Sequence, residues 1–274
     1  MPTIVSIHSY RGGTGKSSLT ANLATLLAKR GYRAGMVDTD MQSPGLHTFF
    51  GWDESGTVQT LNDYLLERCP IDSTAYDVGT GLTNGLGELA ELAGKVYLVP
   101  ASSQANEIAY VLKEGYSVEL LNEGLQAVIR AAELDYLLID THPGLNEETL
   151  LSIAISDVLI VILRPDQRDY LGTAVTLEVA RRLEVPRTLL VVNELPAAFD
   201  QAGVKAQVTA AFGCPVAAVL PHSVEMAALA SGGVFVLCYP DHPVTTSLEQ
   251  VATTLMTAST PTAGTPTAGT LAAA

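Results

Sequence analysis

Cysteine is scarce and scattered: the 274-residue chain carries three, Cys69, Cys214 and Cys238. Their odd number and wide spacing exclude a disulfide framework and a Cys-x-x-Cys metal or redox site, and a reducing compartment fits best. Long apolar runs are also missing. The longest, Val158–Leu163, is far too short to cross a bilayer, and the N-terminus lacks the basic segment of a secretory signal, so a cytoplasmic, soluble protein is expected. Basic residues are few, 15 Lys and Arg against 29 Asp and Glu for a net charge of −14, which makes the molecule as a whole repel polyanions. After Lys205 there is neither Lys nor Arg, which leaves no basic arm and no basic amphipathic anchor beyond that point. At this length folding removes roughly three quarters of the chain's surface from water, enough for one large core without staples.

Short β-branched runs alternate with longer amphipathic stretches, the order of βαβ units around a buried parallel sheet. Strands are expected at Thr3–His8, Arg33–Asp38, Val96–Pro100, Tyr136–Asp140, Val158–Leu163, Thr188–Asn193 and Val216–Leu220. Helices are expected at Lys16–Lys29, Leu61–Glu67, Ser117–Ala132, Glu147–Ile155, Tyr170–Arg182, Ala202–Ala211, Val224–Leu229 and Val244–Met256. Gly31 reads as a helix C′ residue, and Ser223 and Thr245 as N-caps. Residues 53–94, with Gly79, Gly81, Gly85 and Gly87 close together, read as a mobile excursion from the sheet. From Thr257 the composition collapses to a Thr/Pro/Ala/Gly-rich segment in which Pro-Thr-Ala-Gly occurs at Pro261–Gly264 and at Pro266–Gly269, a disordered tail by composition. The expected organisation is one α/β domain over residues 1–256, a single doubly wound, mostly parallel sheet flanked by helices, and a tail over 257–274.

The strongest local signal is Ser9-Tyr10-Arg11-Gly12-Gly13-Thr14-Gly15-Lys16-Ser17-Ser18, lying between the first strand and the first long helix. Glycines let consecutive backbone N–H groups curl around one concavity, and the helix N-terminus adds its positive dipole end, which together bind a polyphosphate. Lys16 then reaches the terminal phosphates, and the Ser17 hydroxyl offers a hard ligand for Mg²⁺, a metal that also needs a carboxylate. The usual Gly-x-x-x-x-Gly-Lys-Ser pattern is not met, because Tyr10 stands where its first glycine belongs. Three further segments carry chemistry. Val37-Asp38-Thr39-Asp40 and Leu137-Leu138-Ile139-Asp140-Thr141-His142-Pro143-Gly144 each end an apolar strand in acid, and Leu189-Leu190-Val191-Val192-Asn193 ends one in an amide that can both donate and accept.

The Arg-Gly-Gly-Thr-Gly-Lys-Ser loop resembles the deviant Walker A of the ParA/MinD family of P-loop ATPases, with Arg11 in place of the family's signature lysine. The four segments follow the family's order over about residues 1–256. The resemblance implies that ATP and Mg²⁺ are bound by Gly12, Gly13, Thr14, Gly15, Lys16, Ser17 and Ser18. It further implies that Asp40 orients the attacking water, that Ser17, Asp38 and Asp140 form or support the magnesium shell, and that Asn193 faces the adenine. Arg11 would reach the partner's phosphates across an ATP-dependent homodimer, bidentately where lysine is a point charge, or else brace its own loop. His142 departs from the small residue or proline usual there, and would touch phosphate or a partner, or serve as a plain turn residue.

The function so implied is a switch ATPase that positions a cargo, with hydrolysis as its timer and a protein activator or cargo adaptor as its trigger. Alternatives are a nucleotide-binding interaction module with little hydrolysis, and the metallochaperone branch of the superfamily, which needs paired cysteines at a dimer interface and is disfavoured by three isolated ones. Membrane-binding relatives end in a basic amphipathic helix, which this chain lacks. DNA-binding relatives use a basic dimer face. Here the candidates are Arg164, Arg168, Arg181, Arg182, Arg187 and Lys205, which leave weak non-specific DNA binding open.

Overall fold

The computed structural model describes residues 1–52 and 58–258. Strands β1 (Thr3–His8), β2 (Arg33–Asp38), β3 (Tyr76–Asp77), β4 (Lys95–Val99), β5 (Tyr136–Asp140), β6 (Val158–Leu163), β7 (Arg187–Leu195) and β8 (Val216–Pro221) form one sheet in the order β3-β4-β2-β5-β1-β6-β7-β8. Every pairing is parallel except that of β3 with β4. The side chains of β5 and β6 are buried along their whole length, because helices cover both faces.

Period-two alternation sorts the strands' side chains between two layers. Val5 and Ile7 of β1 pack with Met36, Leu138 and Ile160 against α1 (Lys16–Lys29), α9 (Phe235–Cys238) and α10 (Pro243–Ala258). Ile4, Val37 and Leu137 face α2 (Leu61–Leu65), α3 (Ala105–Glu114) and α4 (Val118–Ala131), and Leu159, Val161 and Leu190 face α5 (Glu147–Ala154), α6 (Gln167–Arg182) and α7 (Gln201–Phe212). Ser6 is a buried polar residue on that second side, and it donates to the Ser152 carbonyl at 2.8 Å while accepting from Ser156 at 2.7 Å.

Several expectations are corrected. An antiparallel two-residue strand, β3, sits on the edge nearest β4, so the segment read as a mobile excursion is, over residues 58–94, docked on the sheet with Leu61, Leu65, Ile71, Val78 and Leu82 buried; residues 53–57 lie outside the described residues. Helix α3 was not expected, although its apolar Ile108, Val111 and Leu112 recur at helical spacing; of its side chains Val111 alone is buried. Thr245 is no cap. The last helix begins earlier, at Pro243, a first-turn residue whose missing N–H costs nothing, and His242 Nδ1 accepts from Val244 N while the Thr245 hydroxyl donates to the Tyr239 carbonyl. Helix α10 runs to Ala258, past the boundary expected at 256; the remainder of the predicted tail lies outside the described residues. Ser223 caps α8 (Val224–Leu229), accepting from Met226 N at 3.1 Å, and Gly31 takes φ 92° just past α1.

Candidate active site

Helix α1 starts without a cap. Ser117, Asn146, Asp166, Asp200 and Ser223 each accept a backbone N–H at the head of α4, α5, α6, α7 and α8, whereas α1 opens on Gly15, with no side-chain cap and no acid in its first turn. Its free N–H groups and dipole end therefore face the carboxyl edge of the sheet unneutralised, which is the electrostatic definition of an anion site. Gly15 has φ 102°, and a Cβ there would stand 2.6 Å from Asn193 Nδ2, so the loop admits glycine alone at that point.

Around this helix end the neighbouring strand termini bring the predicted residues together. β1 leads into the loop, and its neighbours β5 and β6 diverge in chain order, the crevice in which open α/β sheets bind ligands. A cavity of about 520 Å³ opens there, lined by Gly12, Gly13, Lys16, Asp40, Asn193 and Phe235. Its volume suits a nucleotide-sized ligand. Asn193, whose amide donates to the Thr14 carbonyl at 2.8 Å, braces the glycine-rich loop as well as lining the cavity.

The acids differ in what holds them. Asp38 and Asp140 are register partners on β2 and β5, both buried. The oxygens of Asp38 accept from Asp40 N, Gly45 N and Leu46 N, so this carboxylate pins the turn that follows β2; burial, reinforced by the Asp40 charge, raises it to a pKa of about 6. Asp140 has no such support. Neither of its buried oxygens makes a well-formed hydrogen bond, and burial together with the Asp38 charge pushes its pKa up to about 8, against the downward pull of Lys16 and the Ser17 hydroxyl. Asp40 is raised as well, by burial, with His142 and Lys16 opposing.

Other buried polar atoms at this end of the sheet are also left over. Thr141 Oγ1 donates to the Ile7 carbonyl at 3.0 Å, so it accepts from His8 Nδ1 at 2.8 Å, which leaves His8 Nε2 a bare lone pair without a partner. Burial and the Lys16 charge hold His8 neutral, with its pKa lowered to about 3. Thr14 Oγ1 is a further unpartnered buried atom. Unsatisfied polar groups at this density fit a polar ligand and a hard cation: the two free Asp140 oxygens, with Ser17 beside them, are a donor set suited to Mg²⁺.

Arg11 is held within its own chain. Its guanidinium lies 3.1 Å from Asp169 Oδ1 and 3.5 Å from Asp166 Oδ2, and the other Asp169 oxygen accepts from Arg164 N. Asp169 is 3% exposed, so this is a paired buried charge and not a surface contact. The candidate basic face is partly neutralised by the same pattern: Arg164 pairs with Asp169, while Arg181 and Arg182 pair with Glu178.

Sequence reasoning missed the far wall of the cavity, formed by Phe49, Met226, Leu229 and Phe235, and left out Pro221, which also lines it. The Ser223 cap held the needed signal, since it starts a helix right after a parallel strand, on the edge where ligands bind.

A family model described as AAA domain matches residues 2–185. The chain belongs to that family. An uncharacterized ATP-binding protein of Methanocaldococcus jannaschii is 29% identical over 94% of this chain and 89% of its own length. The septum site-determining protein MinD of Pyrococcus horikoshii, solved with Mg-ADP, shares the fold at a TM-score of 0.73 and 20% identity, covering 93% of this chain and 96% of that one. The resemblance to ParA/MinD ATPases and the expected sheet architecture are thereby borne out. The cytosolic Fe-S cluster assembly factor CFD1 of Chaetomium globosum is 30% identical over 60% of this chain, a match that spans 48% of that factor. Among the described residues of this AAA-domain protein, no helix is long and apolar enough to cross a membrane.

Proposed function

We propose that the chain is an ATP-hydrolysing switch of ParA/MinD type that dimerises on ATP, positions a cargo and answers to a protein activator. The observation that carries the reading is the Asp140 carboxylate, buried and unpartnered beside Ser17 and Lys16 at an uncapped helix end. A group held so costs folding energy unless a ligand completes it.

The amides of Gly12, Gly13, Thr14 and Gly15 and the first-turn N–H groups at Lys16, Ser17 and Ser18 would cradle the phosphates, with Lys16 at the terminal ones. Mg²⁺, held by Ser17 and Asp140, would neutralise charge on the phosphate oxygens. Asp38 stands behind, keeping Asp40 and the turn through Gly45 and Leu46 in place through its three amide bonds. Asp40 would orient a water molecule; as its oxygen bonds to the γ-phosphorus, the bond to the β,γ-bridging oxygen breaks, ADP leaves with the electron pair, and the water's proton passes through Asp40 to phosphate. Asn193 would read the adenine edge while its amide steadies the loop.

Arg11 would act across the dimer, exchanging Asp169 for the partner's phosphates. Arg11→Ala is then expected to bind ATP within about threefold of the parent and to lose ATP-dependent dimerisation, with the fold intact because Arg164 still pairs with Asp169. Light scattering with and without Mg-ATP, run beside a phosphate-release assay, tests the whole reading. No phosphate release and no change in mass would sink it. Sedimentation with DNA and with anionic vesicles at two salt concentrations then identifies the matrix, and pelleting with neither favours a protein cargo.

A second reading follows from the similarity to CFD1: a metal-cluster carrier on the same ATPase frame. It requires thiols from two copies to converge, and Cys214 is a poor candidate, since burial pushes its pKa up to about 11 and its sulfur donates to the Thr188 carbonyl. A visible absorption band after reconstitution with iron and sulfide, lost on removing Cys69 or Cys238, would favour this reading over cargo positioning.

A further inference from the structure

The turn after β2 and the turn after β5 each face two cavities. Asp40 and Ser43 line the large one, whereas Met41 and Gln42, between them in sequence, line a second. Pro143 lines the first, and its neighbour His142 the second. The rest of the second cavity comes from the end of α3 and the start of α4, through Val111, Leu112, Tyr116 and Val118, and from Glu147 and Glu148 in the first turn of α5. At about 190 Å³ it falls short of the roughly 300 Å³ at which small-molecule sites begin, and it has room for one long side chain.

Its lining is apolar with a polar remainder. Met41 and Val111 are buried, and Leu112 and Val118 extend the apolar part. The Tyr116 hydroxyl is buried without a hydrogen-bond partner; burial and the Glu148 charge push its pKa upward, so it stays a phenol, able to accept as well as donate. Glu148 Oε2 accepts from the Asn146 amide at 2.9 Å. No Lys or Arg lines the cavity, and among the described residues neither glutamate is ion-paired. Such a cleft complements a side chain with an aliphatic stem and a cationic head. Of the two candidates, an ammonium gives up strong hydration on entry. A guanidinium is more weakly hydrated, and its fork of N–H donors serves two carboxylates and a phenol at once. Leu112 lines the cavity yet is 56% exposed, apolar surface that a free amine leaves bare and a polypeptide covers.

We propose that this second cavity is a socket for an arginine side chain presented by a partner protein, its stem on Met41 and Val111 and its guanidinium among Glu147, Glu148 and Tyr116. The net charge of −14 favours the approach of a basic partner surface. The socket shares both turns with the nucleotide cavity, since Met41 follows Asp40 and His142 precedes Pro143. Filling either cavity constrains the same two turns, so each occupant changes the affinity of the other. That coupling rests on the reading of the large cavity as an ATP site, whereas the socket itself does not.

The test is an NMR titration of the full chain, isotopically labelled at its methionine methyls. Met41 lines the socket and Met226 the nucleotide cavity, so these two methyls, assigned through Met41→Leu and Met226→Leu, report the two sites separately. The tripeptide acetyl-Leu-Arg-Leu-amide is expected to shift the Met41 signal saturably, at least about tenfold more tightly than its norleucine analogue, which keeps an aliphatic stem and lacks the charge. Acetylarginine amide is expected to bind at least about threefold more weakly than the tripeptide. Equal affinity would make this a socket for a free cation and overturn the assignment to a partner protein. Glu147→Gln combined with Glu148→Gln is expected to weaken the tripeptide at least about fivefold, and Tyr116→Phe about threefold, with the other methionine signals unmoved as the sign of an intact fold. No saturable Met41 shift, or one that the double glutamine variant leaves as tight as in the parent, overturns the proposal. Mg-ATP is expected to change the tripeptide's affinity at least about threefold, and the saturating tripeptide to change ATP affinity by the same factor. No change either way, with Met226 responding to Mg-ATP, overturns the coupling. If Mg-ATP leaves Met226 unmoved, the ATP reading fails instead, and the Met41 titration still decides the socket.

Discussion

Nucleotide affinity is expected to fall at least about 100-fold in Lys16→Ala, read by calorimetric titration of Mg-ATP, with the fold retained. Lys16 is a buried cation, 6% exposed, placed where Asp140, Asp40 and His8 all feel its charge. In the ligand-free protein its loss is buffered, because Asp140, with its pKa already raised to about 8, then keeps its proton more firmly. With a triphosphate present nothing buffers it, since the phosphates do not neutralise near pH 7 and the remaining donors are backbone dipoles. The loss should therefore appear in binding and barely in the melting temperature. A dissociation constant within about threefold of the parent would show that the helix end and loop amides carry the site without the ammonium.

How far the site could be read without coordinates depends on whether each signal was local. The bounds of α1 and of β1, β2, β5 and β6 match the sequence reading residue for residue, because Gly15-Lys16 opens the helix, Arg30-Gly31 closes it, and the strands are short, mostly apolar runs ended by charge or turn residues. β7 extends three residues past its expected ends, to Arg187, which pairs with Val158 of β6, and to Glu194-Leu195, where Leu195 pairs with Pro221 of β8 through an irregular register. The P-loop residues, Asp38, Asp40, Asp140 and Asn193 all arrive at one edge, since a parallel sheet delivers every strand terminus to the same side. Non-local facts left no trace. Nothing in Asp38 announces that Gly45 and Leu46 will take up its oxygen, nothing in Arg11 that a buried Asp169 waits 158 positions away, and nothing in His142 that its ring will stand 3.8 Å from Asp40. Each is set by how two loops meet, and periodicity says nothing about that.

Asp140→Asn is expected to cut Mg²⁺-dependent hydrolysis at least about 1,000-fold while raising the thermal stability of the nucleotide-free protein above neutral pH. The first effect follows from removing the one acid at the site whose oxygens are unpartnered. The second follows from linkage. With a folded pKa of about 8 against an ordinary carboxylate value near 4, the folded state binds more protons than the unfolded one between those limits, so stability falls as pH rises through that window. Asp38, at about 6, acts in the same direction over the lower part. His8, lowered to about 3, acts oppositely up to pH 6.5, because there the unfolded chain takes the proton that the folded one refuses. Above pH 6.5 the His8 contribution is complete and Asp140 dominates the slope. Melting temperatures taken without nucleotide from pH 6.5 to 8.5 should decline in the parent more steeply than in Asp140→Asn, and saturating Mg-ATP should flatten the parent's decline, since a bound cation supplies what the buried proton otherwise must. Parallel curves for parent and variant would mean that Asp140 is already ionised and satisfied, and the case for a metal at this carboxylate would fall with them.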